Sequence, residues 1–222
     1  MDIQQIEISL NSQDPQQRMR AVTALREYDA EVAVPLLKSR IEDPELLVRS
    51  FVAMGLGRKQ NDLAFDALVK MLDDPDYNVR AEAASSMSLY GDRAIPYLRH
   101  LFREDGHWLL RQSILAVAIE LFDPEALYDL CQVALKDADT VVRFMAIEIL
   151  GTLANTPKQD DALEQLLPFV SDENWRVRSR VVLALRHFQQ PQAQAALAYL
   201  KKDDDYRVTS AFLEMLLVDT AE

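Results

Sequence analysis

Glycine is scarce in this chain, 5 residues of 222, and proline is modest at 9. That composition leaves little room for sheet or disorder and suits helices joined by short turns. There is one cysteine, Cys131, which excludes an internal disulfide and a cysteine-rich metal site within one chain. No window approaches 18 uninterrupted apolar residues, so no membrane-spanning helix is predicted. The first residues, Met1-Asp2-Ile3-Gln4-Gln5, lack the basic start and apolar run of a signal peptide. Basic residues are outnumbered 24 to 36, for a formal charge of −12. A nucleic-acid binder needs a basic field to displace counterions, so that balance argues against nucleic acid as a partner. It equally disfavours an anionic lipid surface. A soluble, cytoplasmic chain without membrane insertion is the expectation.

What is present is helix-forming and repetitive. About half of the residues are apolar, and the abundant Leu, Ala, Arg, Glu and Gln favour helix. Self-similarity is plain. Asp43-Pro44-Glu45-Leu46-Leu47-Val48-Arg49 returns as Asp74-Pro75-Asp76-Tyr77-Asn78-Val79-Arg80. Further copies run from Asp105 to Arg111, Asp137 to Arg143 and Asp172 to Arg178. The arginines step by 31, 31, 32 and 35 residues. Both ends are degenerate: Ser12 stands in the aspartate register before Arg18, and Thr209 in the arginine register after Asp203. Terminal repeats have a neighbour on one side only, so this is expected.

Small and apolar residues follow each arginine at three and four positions, as in Val52/Ala53, Ala83/Ala84 and Val181/Val182. Leu25, Leu56, Met87, Leu150 and Leu185 stand at seven. This spacing is one face of a helix. A second amphipathic stretch precedes each aspartate: 32–41, 63–72, 94–102, 126–135, 162–170 and 193–200. Each unit therefore reads as helix A, a tight turn and helix B, and units must stack to bury their faces. The predicted fold is an all-α solenoid of about seven helix pairs in one domain, 1–222. The units fall at roughly 1–28, 30–57, 61–91, 92–121, 124–153, 159–188 and 191–222. The turn aspartate, followed by proline, suits N-cap then N1 of helix B. The arginine six residues on can reach the aspartate of a neighbouring unit, making a structural ladder of Asp43, Arg49, Asp74, Arg80, Asp105, Arg111, Asp137, Arg143, Asp172 and Arg178.

The pattern Asp-Pro-x-x-x-Val-Arg-x-x-Ala-Ala-x-x-Leu-Gly resembles the HEAT-like repeat of the phycobilisome-lyase group. Leu56-Gly57 and Leu150-Gly151 match its Leu-Gly end, and Asn174-Trp175-Arg176-Val177-Arg178 is similar to its Asp-Trp-Arg-Val-Arg core. The resemblance covers nearly the whole chain. It implies a cyanobacterial scaffold acting on phycobiliproteins or their bilins. Three kinds of member have this size: bilin lyase subunits, phycobilisome-degradation proteins of the NblB type, and accessory factors for iron–sulfur protein assembly. The implied ligand is a phycocyanobilin-type tetrapyrrole, with no intrinsic cofactor. In the lyase form an acid such as Glu82 or Asp105 would manage protons. The iron-dependent HEAT-repeat hydroxylases carry His-Glu pairs, whereas His100, His107 and His187 precede no glutamate here, so no metal site is expected.

No catalytic motif is recognisable. Cys131, between apolar residues, reads as a packed small hydrophobe, or else as a nucleophile or a ligand completed by a partner. His107 reads as a cap or a ligand contact. Three positions before the ladder arginine stand Tyr77, Trp108, Trp175 and Tyr206. They pack on the neighbouring turn or form an aromatic edge for a partner or flat ligand. One and two positions after the arginine, on the face away from helix A, are Phe51, Glu82, Phe144, Met145 and Arg180. Large apolar residues there predict a partly apolar binding groove flanked by Arg20 and Arg180.

Overall fold

The structure is a computed structural model and describes residues 1–219, with side chains described over 1–213. Every element among the described residues is helical, and no described helix is long and apolar enough to cross a membrane. The chain forms two compact units, residues 1–121 and 122–222.

The first unit contains α1 (Ile3–Leu10), α2 (Pro15–Ala24), α3 (Ala30–Lys38), α4 (Leu46–Lys59), α5 (Asp62–Met71), α6 (Tyr77–Met87), α7 (Ile95–Glu104) and α8 (Trp108–Leu121). The second contains α9 (Pro124–Ala134), α10 (Thr140–Thr152), α11 (Gln159–Leu166), α12 (Trp175–Leu185), α13 (Pro191–Leu200) and α14 (Tyr206–Asp219). Odd-numbered helices are A helices and even-numbered ones B helices, so the predicted pairing holds. Within each unit the pairs stack in chain order, the α-solenoid architecture. The A helix of the sixth pair is shorter than the pattern suggested: Leu167–Ser171 is a 3-10 segment, with Pro168 denying the backbone its donor there.

B helices pack chiefly on B helices. Their small/apolar face forms the core: Val52, Ala53, Leu56, Ala83, Ala84 and Met87 are fully buried in the first unit, as are Val181, Val182 and Leu185 in the second. The Leu-Gly end of the repeat sets how close two B helices come. A Cβ on Gly57 of α4 would lie 2.8 Å from both the Cβ and the carbonyl oxygen of Ser86 on α6. One on Gly151 of α10 would lie 2.9 Å from the Cα of Ala184 on α12. Only glycine permits that approach. Cys131 is fully buried on α9, and burial pushes its thiol up to about 12. It therefore packs as a small hydrophobe, which removes the solvent-reachable nucleophile reading.

The turn differs from expectation in one respect. The ladder aspartates are not the N-caps. Each sits two residues earlier and its carboxylate accepts the N–H two residues on. Asp43 takes Glu45 N–H at 3.0 Å, Asp74 takes Asp76 at 2.9 Å, Asp105 takes His107 at 2.9 Å and Asp172 takes Asn174 at 2.7 Å. The residue so held begins the helix. Asp76 accepts the Asn78 N–H at 2.8 Å, Asn174 that of Arg176 at 3.0 Å, and Asp205 that of Arg207 at 3.0 Å. Two aspartate-type turns in series thus replace the single cap, because an Asx side chain can close a turn as well as cap a helix. Asp followed by Pro does serve as N-cap and N1, but at α2 (Asp14-Pro15) and α9 (Asp123-Pro124).

The aspartates are left to receive the arginine of the preceding unit. Arg18 Nε and Nη2 donate to Asp43 at 2.7 and 2.8 Å; Arg49 does the same to Asp74 at 2.7 and 3.0 Å. Arg80 Nε reaches Asp105 at 2.7 Å, and Arg178 forks onto Asp203 at 2.7 and 2.9 Å. Each Nη1 turns back to the carbonyl six residues earlier, Asp43 O from Arg49 and Asp172 O from Arg178. Burial by itself would raise the Asp43 carboxyl. The bonds from Arg18 and the Glu45 N–H, with the charges of Arg18 and Arg40, outweigh it and hold the group below the usual carboxylate range.

The 35-residue step breaks the ladder within the second unit. Paired rungs lie 25 residues apart; Arg143 and Asp172 lie 29 apart. Arg143 donates to the Asp137 and Ala138 carbonyls and to Thr140 Oγ1, and reaches no carboxylate among the described residues. The Arg143–Asp172 rung is therefore not built. The four extra residues displace the turn, and Lys158 within them instead ties α9 to α11 through Glu125 and Asp161, both at 2.9 Å. Arg111 and Asp137 belong to different units. Arg111 Nε donates to the Phe102 carbonyl at 3.1 Å, and Asp137 is buried and accepts the Asp139 N–H at 2.7 Å.

Candidate functional site

Two surfaces of each unit carry the sequence-selected residues: the edge where A helices turn into B helices, and the outer face of the B helices. The aromatic position is the first residue of a B helix in every case where it is filled: Tyr77 of α6, Trp108 of α8, Trp175 of α12 and Tyr206 of α14. A side chain at that position leans over the turn rather than into the core.

In the first unit Tyr77 and Trp108 are 42% and 44% exposed. The Tyr77 ring stacks on His107, with centroids 4.0 Å apart and planes 15° from parallel; Trp108 lies 6.0 Å from the same imidazole. His107 also accepts the Leu109 N–H on Nδ1 at 3.3 Å, so it caps α8. In the second unit Tyr206 is 75% exposed, but Trp175 is covered. The Arg207 guanidinium lies 3.9 Å over its ring and that of Arg176 at 4.6 Å. Asp205 fixes Arg207 through two bonds of 2.9 and 2.7 Å and is itself held down at about 2. The aromatic edge is thus open in the first unit and partly occupied by the chain's own cations in the second.

The B-helix faces differ in the same sense. Phe51 is half-buried and lines a cleft of about 160 Å³ with Leu25, Leu37, Met54 and the basic Arg26, Arg58 and Lys59. Further along that unit, Ser50, Asn78, Glu82, Ser85, Leu109 and Ser113 line a depression of about 310 Å³. Among the described residues Glu82 accepts only from Ser86 Oγ, at 3.2 Å. In the second unit Phe144 is 8% exposed, beneath the Arg180 guanidinium at 3.9 Å. Arg180 Nε also donates to Glu148 at 3.1 Å. The open apolar groove expected at Phe144 and Arg180 is therefore not built, because the cation lies on the ring face that would have been open. Met145 beside it is half-buried. Glu148, the carboxylate that holds Arg180, lies five residues after Arg143, whereas Arg180 lies two after Arg178, so no repeat register marks the pair in the sequence.

Of the proposed proton-handling acids, Asp105 is committed to Arg80 and to the His107 N–H, and so is a structural rung. Among the described residues no group of three or more His, Cys, Asp or Glu is placed to hold a metal.

A family profile of HEAT repeats matches residues 34–118 and 127–216. A deoxyhypusine hydroxylase of Candida albicans is 30% identical over 128 residues, 55% of this chain but 40% of that protein, so the chain spans well under two thirds of this relative's length. Among solved structures, YibA of Escherichia coli is similar with a TM-score of 0.66 at 19% identity, covering 95% of this chain and 80% of YibA. The complex of CpcE and CpcF of phycocyanin lyase from Nostoc is similar at 0.56 and 20%, covering 97% and 88%. At these identities the two structures share the fold with this chain.

Proposed function

The chain belongs to the HEAT-repeat family, and from that premise we propose that it is a protein-binding scaffold without chemistry of its own. The observation that carries this reading is the exposure of aromatic side chains at B-helix starts within each unit, Tyr77 and Trp108 in the first and Tyr206 in the second. Rigid aromatic anchors of this kind dominate protein interfaces. The 160 Å³ cleft at Phe51 is below the roughly 300–1,000 Å³ of small-molecule sites. It suits a partner's side chain better than a whole tetrapyrrole.

In its narrower form the client is a phycobiliprotein, met in phycobilisome assembly or NblB-type dismantling, with its bilin as the ligand touched. What supports this form is the repeat signature at Leu56-Gly57, Leu150-Gly151 and Trp175-Arg176-Val177-Arg178. The test is co-elution of the purified chain with purified phycocyanin in size-exclusion chromatography, followed by visible absorption. A comigrating coloured complex, weakened at least about tenfold by joint Tyr77→Ala and Trp108→Ala substitution, is expected, since such anchors each carry about 2 kcal/mol or more. No complex at micromolar concentrations sinks the antenna form. Release of bilin during the incubation would turn the reading to a lyase, and capture of an iron–sulfur scaffold in place of phycocyanin to an assembly factor.

A further inference from the structure

The depression on the α4–α6–α8 face has a chemistry the rest of the molecule explains. Its polar lining consists of hydroxyls, an amide and one carboxylate: Ser50, Asn78, Glu82, Ser85 and Ser113. No basic residue lines it. The Asn78 amide nitrogen is bound to Asp76 at 3.0 Å, which leaves its carbonyl oxygen as the acceptor. Glu82 Oε1 takes one weak hydroxyl bond at 3.2 Å from Ser86, and Oε2 has no partner among the described residues. Tyr77 and Trp108, the half-exposed aromatics, immediately precede Asn78 and Leu109 of the lining.

The second unit shows what the same repeat position does when the chain supplies the counter-charge. The residue two after the ladder arginine is Glu82 in α6 and Arg180 in α12. On the B-helix face of the second unit a carboxylate, Glu148, and a guanidinium, Arg180, meet at 3.1 Å, and the guanidinium also covers an aromatic ring. At the turn edge Arg207 does the same over Trp175. In the first unit the α4–α6–α8 depression has the carboxylate and no basic residue in its lining; the guanidinium at the same register, Arg20, belongs to α2. A carboxylate set among an amide oxygen and hydroxyls that can turn to accept attracts a donor-only cation, and a planar guanidinium is the best match.

We infer that the α4–α6–α8 face docks an arginine-bearing segment of a protein partner. Its guanidinium is taken by Glu82 and the Asn78 carbonyl, and its apolar stem lies along Leu109 toward Trp108. The formal charge of −12 steers such a basic segment toward the chain. This rests on the scaffold reading and names the chemistry its partner must bring.

The probe is a fluorescein-labelled octa-arginine peptide titrated into the full chain at 0.15 M salt, roughly where distant surface charges are screened. Three variants are compared with wild type: Glu82→Gln, Trp108→Ala and, as a charge-matched control on an exposed position of the second unit, Glu164→Gln. The expected result is a loss of about fivefold or more for the first two and less than about twofold for the control. Lysine replacing arginine in the peptide weakens wild-type binding and leaves Glu82→Gln little changed, as a bidentate contact requires. Equal loss in Glu82→Gln and Glu164→Gln, or no wild-type binding, overturns the inference. In that case retained phycocyanin binding leaves the scaffold reading intact, whereas loss of phycocyanin binding with normal peptide discrimination does the reverse.

Discussion

The two units are made from the same repeat and differ in where their arginines go. In the first, three consecutive rungs are complete, Arg18–Asp43, Arg49–Asp74 and Arg80–Asp105, and the outer faces carry an open aromatic edge and a carboxylate without a cation. In the second, one rung is missing at Arg143 and Asp172, while Arg176, Arg180 and Arg207 lie on the chain's own aromatic rings. Arg93 lies over Phe65 in the first unit too, at 3.9 Å, and Arg178 pairs with Asp203 inside the second stack, so the contrast is confined to the B-helix starts and the outer B-helix faces. The stacking itself is common to both, since Gly57 and Gly151 make the same close approach.

The largest expected contrast lies in the ladder. The Asp43 side chain is fully buried against Arg18, so Asp43→Ala leaves a buried guanidinium unpaired and costs about 3–5 kcal/mol. Asp172→Ala removes only a turn contact and costs about 1 kcal/mol. Urea denaturation of the two variants compares them directly, and equal losses would mean the rungs do not matter. Next come Gly57→Ala and Gly151→Ala. Each added Cβ meets the facing B helix at 2.8–2.9 Å, and about 1–3 kcal/mol of overpacking is expected in both units alike. A marked asymmetry would show that the stacks are not equivalent after all.

Double-mutant cycles sharpen the comparison inside the second unit. Arg178 and Asp203 should couple by about 0.5–3 kcal/mol, and Arg143 and Asp172 by nearly nothing. The pH dependence follows from the same pairs. The bond from Arg178 holds the Asp203 carboxyl below the usual range against the opposing effect of burial, and Asp43 is likewise depressed. A depressed carboxyl contributes stability that is complete above its unfolded pKa near 4, and is lost as pH falls through its lower folded value. Acid unfolding should therefore steepen below about pH 4, and Asp203→Asn should flatten that slope. The smallest effect is Arg180→Ala. It uncovers Phe144 at a cost of about 0.5–1 kcal/mol, and gives the second unit the open apolar face that its neighbour Met145 alone does not make. Increased binding of an environment-sensitive dye is the readout.

Most of the helix pattern was legible in the chain. The Asp-to-Arg motif marks the A-to-B turns between the two degenerate ends, and the i, i+3, i+4, i+7 face names the core of the B helices, because both depend on contacts within one or two turns of backbone. The cap position was misread by two residues, since aspartate can close a turn or cap a helix with the same carboxylate. The candidate site was legible as a set of positions but not as a surface. Tyr77, Trp108 and Tyr206 stand exposed as an edge would, while Trp175 at the same repeat position is covered by Arg207, and Phe144 on the outer B-helix face by Arg180, each from the next repeat.

By itself, then, the sequence determined the repeat, the helices, their buried faces and the identity of the ladder residues. Only the tertiary structure decided which arginine reaches which carboxylate, that four extra residues remove the Arg143 rung, and that Glu82 lies in a depression with no basic lining while Arg180 closes on Phe144. The reason is physical. Helical periodicity is written in local spacing, whereas the meeting of side chains one repeat apart depends on how each pair is set against the next, and four extra residues are enough to leave the Arg143 guanidinium on backbone carbonyls and a hydroxyl in place of a carboxylate.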